Sequence, residues 1–213
     1  MNMLLYKEFR IAVHPFYILS SFVFAALIMI PQWIFFLVPL YFCMVTVPNL
    51  LGQYRANKDN QFTILLPVSR DDVVKARILT LSLLELIHIG FTVCFMLLHH
   101  LVYRGGSNFG FDLNAAYIGL TFIIFGIFNW ILFPLYYRTA ESYGIPVIIA
   151  TLVATLLAAV CEVPAMINHQ RTYFLEQESV LQLLILCAGI ILYVLFTLRA
   201  YRLSVRSFRQ VGL

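Results

Sequence analysis

The chain has 213 residues, 62% of them hydrophobic and 11% charged, with a mean hydropathy of +0.90 and a formal net charge of +4. So little polar surface excludes a soluble globule, and an all-α membrane protein with six transmembrane helices is expected instead. The length leaves little room for an extramembrane domain, so residues 1–213 are read as a single transmembrane domain.

Residues 2–13 place Leu5, Phe9 and Ala12 on one side of a helix and Lys7, Glu8 and Arg10 on another, as suits a helix lying in the membrane interface. His14-Pro15 ends it, because proline disfavours helical geometry in the residue before it. No small-residue cleavage site follows, so a retained signal anchor is expected rather than a cleaved signal peptide. From Phe16 to Leu51 the chain is apolar for 36 residues, too long for one span and just enough for two, at about 16–30 and 33–51 with a turn at Pro31-Gln32-Trp33. Two spans put Lys7 and Arg10 in the same compartment as Arg55, Lys58, Arg70, Lys75 and Arg77. Pro39 and Pro48 predict kinks in the second span.

The stretch from Gln53 to Thr80 is the only long polar interruption. Asn57-Lys58-Asp59-Asn60 can start a short helix with Phe62, Leu65 and Leu66 on one face, and Pro67 ends it. Ser69 is the expected N-cap of a second, long helix starting at Arg70. Asp72 stands at its N3 position, and Asp71 and Asp72 lie where the helix dipole favours negative charge. Polarity alone fits either a wet connecting loop or a part that touches a partner at the membrane surface.

Asp59 and then Leu65-Leu66-Pro67-Val68-Ser69-Arg70-Asp71-Asp72-Val73-Val74-Lys75-Ala76-Arg77 resemble the corresponding segment of small ABC-2 type permeases, the membrane subunits of ATP-driven exporters. The resemblance implies that residues 53–77 carry a short cytoplasmic coupling helix between helices 2 and 3, and that residues 2–13 form an N-terminal interfacial elbow helix. It also implies a separate ABC ATPase subunit, in two copies per complex, contacting Asp59, Phe62, Leu65, Leu66, Pro67, Ser69, Arg70 and Asp71. ATP and Mg would be bound by that partner and no cofactor by this chain. A second permease copy or close paralogue would pair with it, the first and fifth spans lying near the shared interface. The tail from Ser204 to Leu213 departs from the more acidic ending the family often shows.

The third span, about 78–101, carries Glu85 and His88 one helical turn apart, an expensive pair to hold in hydrocarbon. They are candidates for a substrate path, though hydrogen bonds to each other or to a neighbouring helix that simply fix packing are the plainer reading; two ligands are too few for a zinc site, so no metal is expected. His99 and His100 fall at the far end of the span, where an interfacial position accounts for them. Residues 104–114 are a glycine-bearing loop that lacks the Gly-Lys-Ser/Thr of a P-loop, and no such motif occurs in the chain.

The fourth span, about 115–135, holds Asn129 as a possible hydrogen-bonding link between helices. The fifth, about 145–161, repeats Ala150, Ala154 and Ala158 every fourth residue, a stripe that lets two helix backbones approach closely. It is a dimer seam or a packing face inside one subunit. Residues 162–178 are mixed and interfacial. The sixth span, about 180–198, leads into a basic tail, 199–213, in which Arg199, Arg202, Arg206 and Arg209 form one positive helical face suited to anionic lipid headgroups. Nucleic-acid binding is not expected. Cys43, Cys94, Cys161 and Cys187 all fall in apolar runs and read as small core residues.

In this layout twelve of the fourteen basic residues fall on one side, with only Arg104 and Arg171 on the other, which predicts cytoplasmic termini in a plasma membrane of bacterial type. The expected function is a permease subunit moving an amphipathic or apolar substrate, a peptide or drug-like molecule, out of the cell. The alternatives are a membrane immunity or sensor protein that does not transport, and a membrane-embedded hydrolase using Glu85 and His88 as acid and base.

Overall fold

The computed structural model describes residues 2–31, 33–57, 69–103, 111–139, 142–167 and 179–210. Among them there is no strand. Helix α1 (Asn2–Lys7) runs into a π-helical turn (Glu8–Ala12), and α2 (Pro15–Ala26) is extended by a 3-10 turn (Leu27–Met29). The second arm consists of α3 (Leu37–Tyr41), a π-helical turn (Phe42–Thr46) and α4 (Val47–Ala56). Four longer helices follow: α5 (Arg70–Val102), α6 (Ala115–Arg138), α7 (Gly144–Ile167) and α8 (Ser179–Gln210).

Among the described residues, only α5, α6, α7 and α8 are long and apolar enough to cross a membrane by themselves; Pro15–Met29 is a shorter apolar helix. At 1.5 Å per residue α6 and α7 reach about 36 Å, just over a hydrocarbon core of about 30 Å. With 33 and 32 residues, α5 and α8 exceed it, and the surplus is the charged start of α5 and the arginine-bearing end of α8.

The α2 and α3–α4 arms form an antiparallel hairpin. Tyr17 Oη donates to Gln53 Oε1 at 2.6 Å, the hydroxyls of Ser20 and Thr46 are 3.1 Å apart, and the rings of Phe24 and Tyr41 lie 5.9 Å apart. The chain therefore returns to the level at which it started, as two apolar arms require. The second arm is interrupted by a π turn between Pro39 and Pro48, in keeping with the kinks expected there: a missing proline N–H and a widened turn both break the regular ladder.

Alternating direction continues through the bundle. At one end Tyr103 Oη donates to the Met29 carbonyl, His99 packs on Phe35, Tyr117 Oη donates to the Phe35 carbonyl, and the Phe111 amide meets Glu162. At the other end Arg77 covers Tyr54, Tyr143 lies against Gly52, and Tyr137 packs on Phe208. Helix α1 and the described tail of α8 share this second end with Arg55, Lys75 and Arg138, which is accordingly the basic end of the bundle.

Candidate functional site

Buried polar groups gather at the basic end and at the centre of the bundle, besides the Glu162 carboxylate at the opposite end. At the basic end, α5 starts as its residues dictate. The Ser69 hydroxyl oxygen accepts the Asp72 N–H at 3.1 Å and donates its own proton to Asp72 Oδ2 at 2.6 Å, so cap and carboxylate lock each other. Arg70 opens the helix, and Asp71 sits half-buried in its first turn. Asp59, Phe62, Leu65, Leu66 and Pro67, the heart of the expected ATPase contact, lie outside the described residues.

The two helices that lead into and out of that segment are joined at their bases. The Arg77 guanidinium lies 4.7 Å from the centroid of the Tyr54 ring, and the two residues are only 2% and 4% exposed. Such a desolvated cation over an aromatic face is worth about 2 kcal/mol. Glu8 of the α1 extension reaches the same cluster. Burial pushes the Tyr54 phenol well above its ordinary pKa, the Glu8 carboxylate acts in the same direction, and Arg77 opposes both.

Glu8 is the point at which the interfacial-helix reading fails in detail. It was expected on the wet face with Lys7 and Arg10, yet it is 1% exposed. The helix widens into a π turn at Glu8, which shifts the angular register and carries this carboxylate under the bundle. Lys7 accompanies it, with Nζ 3.7 Å from Glu8 Oε1, while Arg10 remains outside on the Tyr6 hydroxyl.

At the centre of the bundle Glu85, fully buried, accepts two hydrogen bonds on Oε2, from Asn129 Nδ2 of α6 at 2.8 Å and from Tyr193 Oη of α8 at 2.7 Å. Asn129 thus links helices as its position implied. His88 does not join this group. Its ring packs against Phe42 at 5.0 Å and Phe125 at 6.0 Å, and neither ring nitrogen has a hydrogen-bond partner of good geometry. Glu85 and His88 are therefore not an assembled acid–base pair. The arrangement is a three-helix clamp, in which one carboxyl group holds α5, α6 and α8 in register.

The alanine stripe resolves in favour of packing inside the subunit. Ala150, Ala154 and Ala158 are 0%, 0% and 3% exposed within this one chain, so a dimer seam made by them is not available in this conformation. Their small side chains let α7 approach its own neighbours, and the outward row of α7, with Ile148, Leu152 and Leu156, stays exposed. The cysteines also need correction. Cys43 is buried as expected, but Cys94 and Cys187 face outward, Cys161 is partly covered, and all four are free thiols.

Several residues that shape these sites were not singled out by sequence reasoning. Tyr193 is a lone phenol in an otherwise apolar span, which is a usable signal for a buried partner. Gly119 and Gly126 stand seven residues apart, two turns along one face of α6, and mark where α8 crosses closely. Tyr54 lacks any such mark, because an interfacial tyrosine is also what a span end ordinarily carries.

Comparison with family models matches residues 3–209 to a family described as ABC-2 family transporter protein. Neither the curated proteins nor the solved structures contain a match to the chain.

Proposed function

The chain belongs to the ABC-2 transporter family, and from that membership we propose that it is the permease subunit of an exporter that carries apolar or amphipathic cargo out of the cell. It is a multi-pass membrane protein of a family that works with an ABC ATPase subunit. In the proposed assembly the α2 and α3–α4 arms act as the first two of six spans, the basic end faces the cytoplasm, α1 is the elbow, and two ATPase subunits bind beneath two permease copies. A second copy would meet α7 on its outward row, since the alanine stripe is already covered. ATP and Mg would be held by the ATPase.

The observation that carries this reading is the stacking of Arg77 on Tyr54. The helix that ends at Ala56 and the helix that starts at Arg70 are tied to each other at the basic end, where the sequence between them joins the two. A push on Phe62, Leu65 and Leu66 would therefore move α4 and α5 together, as one lever. Because α5 also bears Glu85, its tilt would load the bonds to α6 and α8 and bias the bundle toward a second arrangement. The ATPase can drive this only by binding the two arrangements with different affinity.

The test is to replace Leu65 and Leu66 with Asp. Membrane insertion should persist while ATP-dependent export of the cargo fails; export at the unmodified rate would overturn the reading. Co-purification of the chain with an ATP-binding-cassette subunit is the companion measurement.

A further inference from the structure

Glu85 uses its two oxygens unequally. Oε2 takes both donors, Asn129 Nδ2 at 2.8 Å and Tyr193 Oη at 2.7 Å, while Oε1 is buried with no hydrogen-bond partner. The amide of Asn129 is divided in the same way: its nitrogen is engaged, and its Oδ1 is a buried acceptor without a donor. Both side chains are 0% exposed. The cluster holds two acceptor oxygens in need of a hydrogen and is short of a donor.

The charge of a carboxylate would also go unanswered here. Among the described residues no lysine or arginine forms an ion pair with Glu85. The second arm brings the Cys43 thiol toward it and α8 the Tyr193 phenol, groups that are ordinarily neutral near neutral pH, and α6 brings the Asn129 amide. On the same helix, His88 lies against Phe42 and Phe125, and α2 meets that histidine through the backbone of Ser21. A lone carboxylate in the middle of a membrane bundle, with one oxygen unsolvated, is costly.

A single proton removes both faults. Placed on Oε1, it abolishes the charge and supplies the missing donor, for which Asn129 Oδ1 is the unfilled acceptor. Oε2 is then the carbonyl oxygen of the acid, and that is where both existing donors converge. We propose that the folded bundle carries Glu85 as a neutral carboxyl group at neutral pH, protonated on Oε1, so that the three-helix clamp is a latch held by a proton. An arrangement that lets water reach Glu85 releases the proton to that water, and raising the pH favours it, because equilibrium moves away from the form that binds more protons. The neutral carboxyl stands on the cluster alone. That the wetted arrangement is one the ATPase drives rests on the permease reading above.

The experiment is infrared spectroscopy of the full chain in phosphatidylcholine nanodiscs at neutral pH. The difference spectrum between the wild type and Glu85→Gln should contain the C=O band of a protonated carboxyl group. That band should shift in deuterium oxide and move to higher frequency in Tyr193→Phe, which takes one donor from Oε2. Glu85→Gln has the same shape and cannot ionise, so it is also the reference for equilibrium unfolding in mixed micelles. The folded wild type keeps a proton that its unfolded chain has released. Between about pH 5 and pH 7 its folding constant should therefore fall relative to the variant, by up to about tenfold per pH unit. Absence of the band overturns the proposal, and so does wild-type stability that runs parallel to the variant over that range or that rises specifically with sodium, the mark of a cation in place of the proton. If Glu85→Gln does not fold, the wild-type and Tyr193→Phe spectra decide the matter between them. A band that is present while ATP-driven export is the same in the wild type and Glu85→Gln would remove the latch from transport and leave the neutral carboxyl standing.

Discussion

Gly119 and Gly189 meet backbone to backbone where α6 crosses α8. A Cβ built on Gly119 would lie 2.6 Å from the Ile185 carbonyl oxygen, and one built on Gly189 would strike the backbone of Gly119. Seven residues on, a Cβ at Gly126 would stand 3.0 Å from the Tyr193 Cα. These are backbone atoms, so no flexible side chain can yield. Close approach here also brings Tyr193 within reach of Glu85.

Substituting either glycine of the crossing should separate the helices. Gly189→Val is expected to destabilise the protein by about 1–3 kcal/mol or more, the usual range for overpacking. Gly90→Ala on α5, where nothing lies within 4 Å of an added Cβ, should change stability by no more than about 1 kcal/mol. Thermal unfolding of the two variants in detergent checks the contrast, and equal effects would contradict the crossing.

The Glu85 clamp should show as coupling between residues far apart in the chain. Tyr193→Phe removes one donor, and Glu85→Ala leaves both Asn129 and Tyr193 without their acceptor, at a cost of about 1–3 kcal/mol per stranded group. In a double-mutant cycle of these two changes the coupling energy should be about 0.6–1.7 kcal/mol, as for other hydrogen bonds between membrane helices. Unfolding titrations in mixed micelles give the four corners, and strict additivity would count against the clamp.

Arg77→Lys keeps the charge but loses the flat guanidinium that covers the Tyr54 ring. A loss of up to about 2 kcal/mol of stability is expected, with Tyr54→Leu adding little once Arg77 is gone. If the contact also transmits force, Arg77→Lys in the assembled transporter should lower export more than ATP hydrolysis. Parallel losses of both would mean that the contact only stabilises the fold.

Ser69→Ala removes the cap of α5 while leaving the apolar part of that helix untouched. The expected cost is about 1 kcal/mol, confined to the first turn. Amide hydrogen exchange should speed up at Asp72 and Val73 and stay unchanged beyond Arg77. Unaltered exchange at Asp72 would show that the cap contributes nothing.

Much of the architecture was legible before any coordinate. Ser69 with Asp72 announced the start of α5 to the residue, because capping depends only on neighbours along the chain. Asn129 announced a link between helices, because an amide in hydrocarbon must find a partner. The break at His14-Pro15 also followed from local rules, and His14 Nδ1 accepts the Phe16 N–H there. Glu8 escaped this reasoning, since an irregular turn alters which way a residue faces without changing its type.

What residue order alone determined is that the chain is helical and apolar enough for several crossings of a membrane. Hydropathy, proline, caps and the asymmetry of lysine and arginine act over one turn or one span, and each can be read in place. Which faces meet was decided only in three dimensions. In a membrane the positions that touch lipid and those that touch another helix are both apolar, so no alternation of polarity separates them. That is why Ala154 was open to either partner until α7 was seen against its own bundle. It is also why the carboxyl of Glu85 found Tyr193 and not His88, its neighbour on the same helix.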